Sequence, residues 1–115
     1  MIDFACKEFK LSEIIKCALG LRKADLAVLS FFLEHTDSWH SAEDVAKKLR
    51  LNVTTVQRAS KKLFEKDIIH RQQENLTGGG YVYSYKLKNK THIRMVIMSI
   101  VERWKKKVAD ELEKW

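Results

Sequence analysis

Two helix starts placed back to back constrain this chain more than any other feature. Ser41-Ala42-Glu43-Asp44 has the form of a capping box with the acid shortened from Glu to Asp. The serine side chain can accept from the free N–H three residues on, and the carboxylate can reach back. It opens a helix of about residues 42–50 with Ala42, Val45, Ala46 and Leu49 on its inner face. Leu51-Asn52 breaks that helix, and Asn52 can cap a second over about 53–66, whose inner face reads Val56, Ala59, Leu63 and Phe64. A strand over 68–72, turn chemistry at Asn75-Leu76-Thr77-Gly78-Gly79-Gly80 and a strand over 81–88 follow. Tyr81, Tyr83, Tyr85 and Leu87 share one face of that second strand; Val82, Ser84 and Lys86 share the other. The order helix–helix–strand–turn–strand is that of a helix-turn-helix (about 41–66) carrying a β-wing (about 68–88).

The flanks read as helices. Leu11, Ile14, Ile15 and Ala18 recur at helical spacing behind Ser12, a candidate N-cap, and Gly20 stands where a glycine ends a helix. A second helix is expected over 23–35, with Leu26, Leu29, Phe32 and Leu33 as its stripe and Val28 widening it. Thr36-Asp37-Ser38 makes a turn, and Trp39-His40 reads as a very short strand. From about 91 to 115 the helical period returns, marked by Ile93, Ile97, Ile100, Val101, Trp104, Val108, Leu112 and Trp115. The chain of 115 residues has no proline and no visible linker or repeat, so residues 1–115 are expected to form one domain. That domain is mainly α with a small β-hairpin.

Charge is distributed unevenly. Residues 51–90 hold eight of the 22 basic side chains and only three of the 15 acidic ones, while residues 1–50 are balanced. Such asymmetry is expected of a surface that faces a polyanion. Other classes are excluded more directly. The longest uncharged stretch, residues 75–85, is eleven residues long, and a membrane-spanning helix needs about 20 apolar ones. Met1-Ile2-Asp3-Phe4 lacks the basic and apolar regions of a secretory signal, so a cytoplasmic protein is expected. Phosphate-loop, metalloprotease and hydrolase signatures are absent, and no enzyme is expected. Cys6, Cys17, His35, His40, His70 and His92 follow no metal-ligand spacing, so no metal or other cofactor is expected and the cysteines read as buried or incidental.

The outer face of the 53–66 helix carries the chemistry. A helix fits the DNA major groove, which is about 12 Å wide, and the second helix of the pair is the one that enters it. Thr54 and Thr55 can approach phosphates together with the free N–H groups of the helix start. Gln57 can pair with adenine and Arg58 with guanine, while Lys61 and Lys62 lie one turn further along. Ser41 at the start of the first helix completes this set. The wing tip has no basic residue, so wing contacts are expected from Gly79 through its backbone N–H and from Arg71, Lys86 and Lys88.

The run Trp39–Leu49 followed by Leu51–Ala59, together with Leu63-Phe64-Glu65-Lys66-Asp67-Ile68-Ile69 and Gly79-Gly80-Tyr81-Val82-Tyr83, resembles the winged-helix domain of small archaeal and bacterial regulators of the MarR and TrmB types. Asp67 stands where those proteins usually carry glycine, and Asp tolerates the left-handed backbone that the position needs. The resemblance implies a dimeric transcription regulator whose 53–66 helix reads DNA. Its flanking N- and C-terminal helices would form the dimer. The C-terminal helix, about 37 Å long at 1.5 Å per residue, outreaches a compact winged domain. Its apolar face therefore wants a partner surface, through Ile97, Val101, Trp104, Val108, Leu112 and Trp115, with Leu11, Ile14 and Ile15 as a second strip. A homodimer on an inverted-repeat operator of double-stranded DNA is the expected assembly. Whether a small-molecule effector binds is open, and a winged-helix protein–protein adaptor is the alternative reading.

Overall fold

Helix ends in this chain are fixed by local chemistry. A computed structural model describes residues 1–115. Its first element is a small antiparallel hairpin, β1 (Ile2–Phe4) and β2 (Lys7–Phe9), which the sequence reading does not anticipate. Helix α1 (Leu11–Leu19) follows, with Lys10 rather than Ser12 at its N-cap and no side chain capping it. Gly20, at φ 65°, ends it as expected, its own N–H donating to the Cys17 carbonyl while the Leu21 N–H donates to that of Lys16.

Helix α2 (Lys23–Glu34) begins after Arg22, whose N–H donates to the Asp25 carboxylate at 2.8 Å. Its buried side is Asp25, Val28, Leu29, Phe31 and Phe32; Leu33, expected inside, is exposed and Phe31 is buried instead. The inner face is thus centred on Val28 and Phe32, which rotates the stripe away from Leu33. Strand β3 (His40–Ser41) leads directly into α3 (Ala42–Leu49), where the Ser41 hydroxyl accepts the Asp44 N–H at 3.2 Å. Arg50 takes the left-handed conformation at φ 56° and turns the chain toward α4 (Val53–Glu65). There the Asn52 side chain accepts the Thr54 N–H at 3.0 Å. These caps are each worth about 1 kcal/mol and fix the boundaries of two helices too short to hold themselves.

Asp67, at φ 67°, closes the exit of α4, and the Ile68 N–H donates back to the Leu63 carbonyl. Strands β4 (Ile69–Asn75) and β5 (Tyr81–Leu87) then pair in register from Ile69↔Leu87 to Asn75↔Tyr81. With β3 on the other side of β5 they form an antiparallel sheet of order β3-β5-β4. One core joins Leu19, Val28, Phe32, Val45, Val56, Leu63, Ile68 and Ile69, all with no exposed surface, so α1–α4 and the base of the wing pack as a unit. The architecture is a winged helix-turn-helix.

Helix α5 (Lys90–Lys114) starts on an Asn89 cap whose side chain accepts the His92 N–H at 2.8 Å. Ile93 is buried, and Val96, Ile97 and Ile100 lie half-buried against the core. From Glu102 onward every residue is exposed. The molecule is accordingly drawn out, 62 × 24 × 24 Å along its principal axes. No helix is long and apolar enough to cross a membrane.

Candidate nucleic-acid interface

Helix α4 is held by Val56, Ala59, Ser60 and Leu63, all buried, so its opposite face is fixed toward solvent. Thr54, Gln57, Arg58 and Lys61 are exposed there. Their spacing of three and four residues puts them in one stripe, about 10 Å long at 1.5 Å per residue. Arg58 and Lys61 form no ion pair, so both charges are available to a ligand. Glu65, exposed one turn beyond Lys61, ends the basic stripe. Thr55 is half-buried at its margin. The Thr54 N–H is taken by the Asn52 cap, which leaves less of the helix start to greet a phosphate than the sequence alone implies.

Lys62 is placed differently from its neighbour. Its ammonium lies 3.0 Å from the Asp25 carboxylate and 3.4 Å from the Gly20 carbonyl, pinning α4 to the α1–α2 corner. Asp25 is only 4% exposed, so it needs that counter-charge. The signal for this pair was half legible: an acid three residues after a helix start is the reach-back member of a capping box. Its lysine, 37 positions away, carries no sequence signal.

The wing candidates do not share one surface. Arg71 is paired across the sheet with Tyr85, and its guanidinium lies 4.1 Å from the Phe64 ring centre and 4.3 Å from that of Tyr83. Stacked so, it ties the end of α4 to the wing. Lys86 pairs with His70 on the opposite sheet face. The Gly79 N–H donates to the Leu76 carbonyl at 3.2 Å, closing the wing turn. The Ser41 hydroxyl caps α3, and its backbone pairs with Ser84.

Lys88 is ion-paired with Asp67, which also accepts from His92 Nε2 at 2.8 Å. The Lys88 hydrogen bond, and then that of His92, holds the Asp67 carboxyl below its ordinary value of 3.8. This cluster, unforeseen in the sequence, joins the exit of α4, the end of β5 and the first turn of α5. On β3, burial and the neighbouring His35 lower the His40 pKa, and Ser38 Oγ shares a 2.7 Å hydrogen bond with its Nε2. Both cysteines are exposed, so burial does not account for Cys17. No three His, Cys, Asp or Glu side chains stand together where a metal ion could be held.

The strips expected to meet a second copy are on one side of the molecule, where α1 packs on α5. Ile14, Ile15, Ile97 and Val101 are half-buried and Leu11 is exposed. Trp104 is 58% exposed, Leu112 57% and Trp115 98%, with Val108 between them also exposed.

Comparison with known proteins places this architecture. A protein from Methanosarcina mazei Go1 described as a possible transcriptional regulator is 53% identical, with a TM-score of 0.92 over 100% of this chain and 96% of that one. The uncharacterized protein MJ1503 of Methanocaldococcus jannaschii is 28% identical over 98% of this chain and 86% of its own length. An S. aureus MepR mutant bound to an oligodeoxyribonucleotide has a TM-score of 0.50 at 18% identity, covering 90% of this chain and 84% of that one, a likeness of fold alone. The family model described as the DnaD N-terminal domain matches residues 8–108. That match spans most of the sequence, from β2 into the exposed part of α5, and the chain therefore belongs to the DnaD N-terminal domain family.

Proposed function

We propose that the chain is a sequence-specific double-stranded DNA-binding transcription regulator of the MarR and TrmB manner, acting as one winged-helix domain that works as a homodimer on an inverted repeat. The observation that carries this reading is the stripe Thr54, Gln57, Arg58 and Lys61: exposed, unpaired in charge, and mounted on a helix whose other face is locked in the core. The description of the Methanosarcina mazei relative as a possible transcriptional regulator supports it. So does the winged fold shared with an oligodeoxyribonucleotide-bound MepR.

In this reading α4 lies in the major groove with Gln57 toward adenine and Arg58 toward guanine. Lys61 neutralises a phosphate, Thr54 and Thr55 approach the backbone beside it, and Ser41 lies at the edge of the contact. Lys62 and Arg71 act indirectly: the first holds α4 in place and the second holds the wing against α4. One recognition helix makes too few contacts to single out a site, so two copies place two such helices about 34–36 Å apart. Leu11, Ile14, Ile15 and the apolar side of α5 supply the two-fold contact.

Protection mapping with the purified full chain on genomic fragments is the decisive experiment. A protected inverted repeat is expected, with Arg58→Ala weakening that site by about 1–3 kcal/mol and relaxing preference at one base position. Equal loss on cognate and random duplex would confine Arg58 to phosphate and overturn its reading role. A wild type that binds no duplex but captures a protein partner through the same face would replace this function with the adaptor reading.

A further inference from the structure

On the outer face of the wing, away from Arg71, Phe64 and Tyr83, the sheet and the start of α5 border an open cavity of about 600 Å³. Its walls include Trp39, His70 and Lys86, with Lys88, Lys90 and Asp37 around them. Register explains the gathering. His70 and Lys86 are direct cross-strand partners, and Trp39 immediately precedes His40, which pairs with Tyr85 next to Lys86. The Trp39 and His70 ring centres lie 6.4 Å apart, with the rings tilted by 46°. Trp39 is 40% exposed although it leads straight into a strand that borders the core, so part of this large apolar side chain stays in water.

The charges are not spent internally. Lys88 is neutralised by Asp67, but Lys86 and Lys90 form no ion pair. Asp37 is the one carboxylate in the lining. A partly exposed indole and two unpaired ammonium groups lining one cavity are complementary to a ligand that is planar at one end and anionic at the other. The volume lies within the range of about 300–1,000 Å³ typical of small-ligand sites. A duplex cannot use such a ring, because its bases are already stacked inside the helix; an unpaired base can.

We propose that this cavity is a binding site for a free nucleotide, with the base stacked on Trp39 and the phosphates held by Lys86 and Lys90. The site is separate from the stripe on α4, on a different surface and with different residues, and it stands whether or not α4 reads DNA.

The test is equilibrium dialysis of the full chain with ATP, alongside adenosine and inorganic triphosphate, and tryptophan fluorescence as a second readout. Saturable ATP binding is expected, with adenosine and triphosphate each weaker by about tenfold or more, since each fills half the site. Lys86→Gln and Lys90→Gln should each weaken ATP by about tenfold. Trp39→Leu, at an exposed position just ahead of β3, should abolish the nucleotide-dependent quench while Trp104 and Trp115 continue to emit. Triphosphate binding as tightly as ATP, or ATP binding unaltered by Trp39→Leu, would reduce the cavity to a patch of positive charge and overturn the assignment. So would the absence of ATP binding below about 1 mM. A short oligothymidylate that quenches Trp39 where mononucleotides do not would overturn the free nucleotide in favour of a single strand.

Discussion

Helices α4 and α5 both pack on the core and both leave side chains in water, yet they leave different things there. The free face of α4 is Thr54, Gln57, Arg58 and Lys61, short or charged groups that water satisfies without cost. Where α5 runs past the core, beyond Glu102, its apolar side continues in water as Trp104, Val108, Leu112 and Trp115. Single exposed apolar residues are ordinary, but four at helical spacing fall on one side of the overhanging helix. A polar face held rigid suits a polar ligand, and an apolar one suits a protein surface. In the proposed function the two helices divide the work, α4 reading DNA and α5 assembling the dimer.

The division can be broken most visibly at α5. Trp104→Ala combined with Leu112→Ala should convert a micromolar dimer into monomers in sedimentation velocity and lower operator affinity by about 100-fold or more, with the helical circular dichroism retained. A wild type that sediments as a monomer with undiminished operator affinity would erase the contrast between the helices.

Stability should separate the two lysines of α4 from the buried acid that one of them serves. Asp25→Ala removes the partner of Lys62 and the acceptor of the Arg22 N–H together, and should cost about 3 kcal/mol in urea unfolding. Lys62→Ala should cost about 1–2 kcal/mol, because its ammonium is partly solvated. Lys61→Ala should leave the unfolding midpoint unchanged.

The DNA readout should reverse that order. Lys61→Ala is expected to flatten the dependence of log affinity on log salt by about 0.9, the contribution of one phosphate, whereas Lys62→Ala should keep the slope of the wild type. A slope that changes equally in both variants would show that Lys62 reaches phosphate despite its ion pair.

The smallest effect concerns the cluster that joins both helices. The Asp67 pKa is lowered in the folded chain, so its contribution to stability is complete above the ordinary value of 3.8 and is lost as pH falls through the lowered one. Asp67→Asn should therefore flatten the acid limb of the unfolding profile below about pH 4 and leave its shape near neutrality unaltered. An unchanged acid limb would mean that Lys88 and His92 gain nothing from the carboxylate.

What the sequence determined by itself was everything held by bonds across a few residues. Ser41 and Asn52 cap the helices they precede, Gly20 and Asp67 take the left-handed turns, and period-2 alternation marks the wing strand from Tyr81. These signals are legible because the partners of each hydrogen bond lie within one turn of it. The parity of a strand even tells that Arg71 and Lys86, paired with Tyr85 and His70, must face opposite ways once the register is known. Short charged strands such as Lys7–Phe9 give too few residues for a period to emerge, so the N-terminal hairpin was invisible. Only the tertiary structure decided which of two adjacent lysines faces outward, which rings Arg71 lies between, and that Trp39 and His70 line one cavity with Lys86 and Lys90. The helical stripe of α4 is the same whether Lys62 meets solvent or Asp25. The choice rests on where α2 packs, and that is set by the burial of Val28, Phe32, Val56 and Leu63 together, a non-local term that no window along the chain contains.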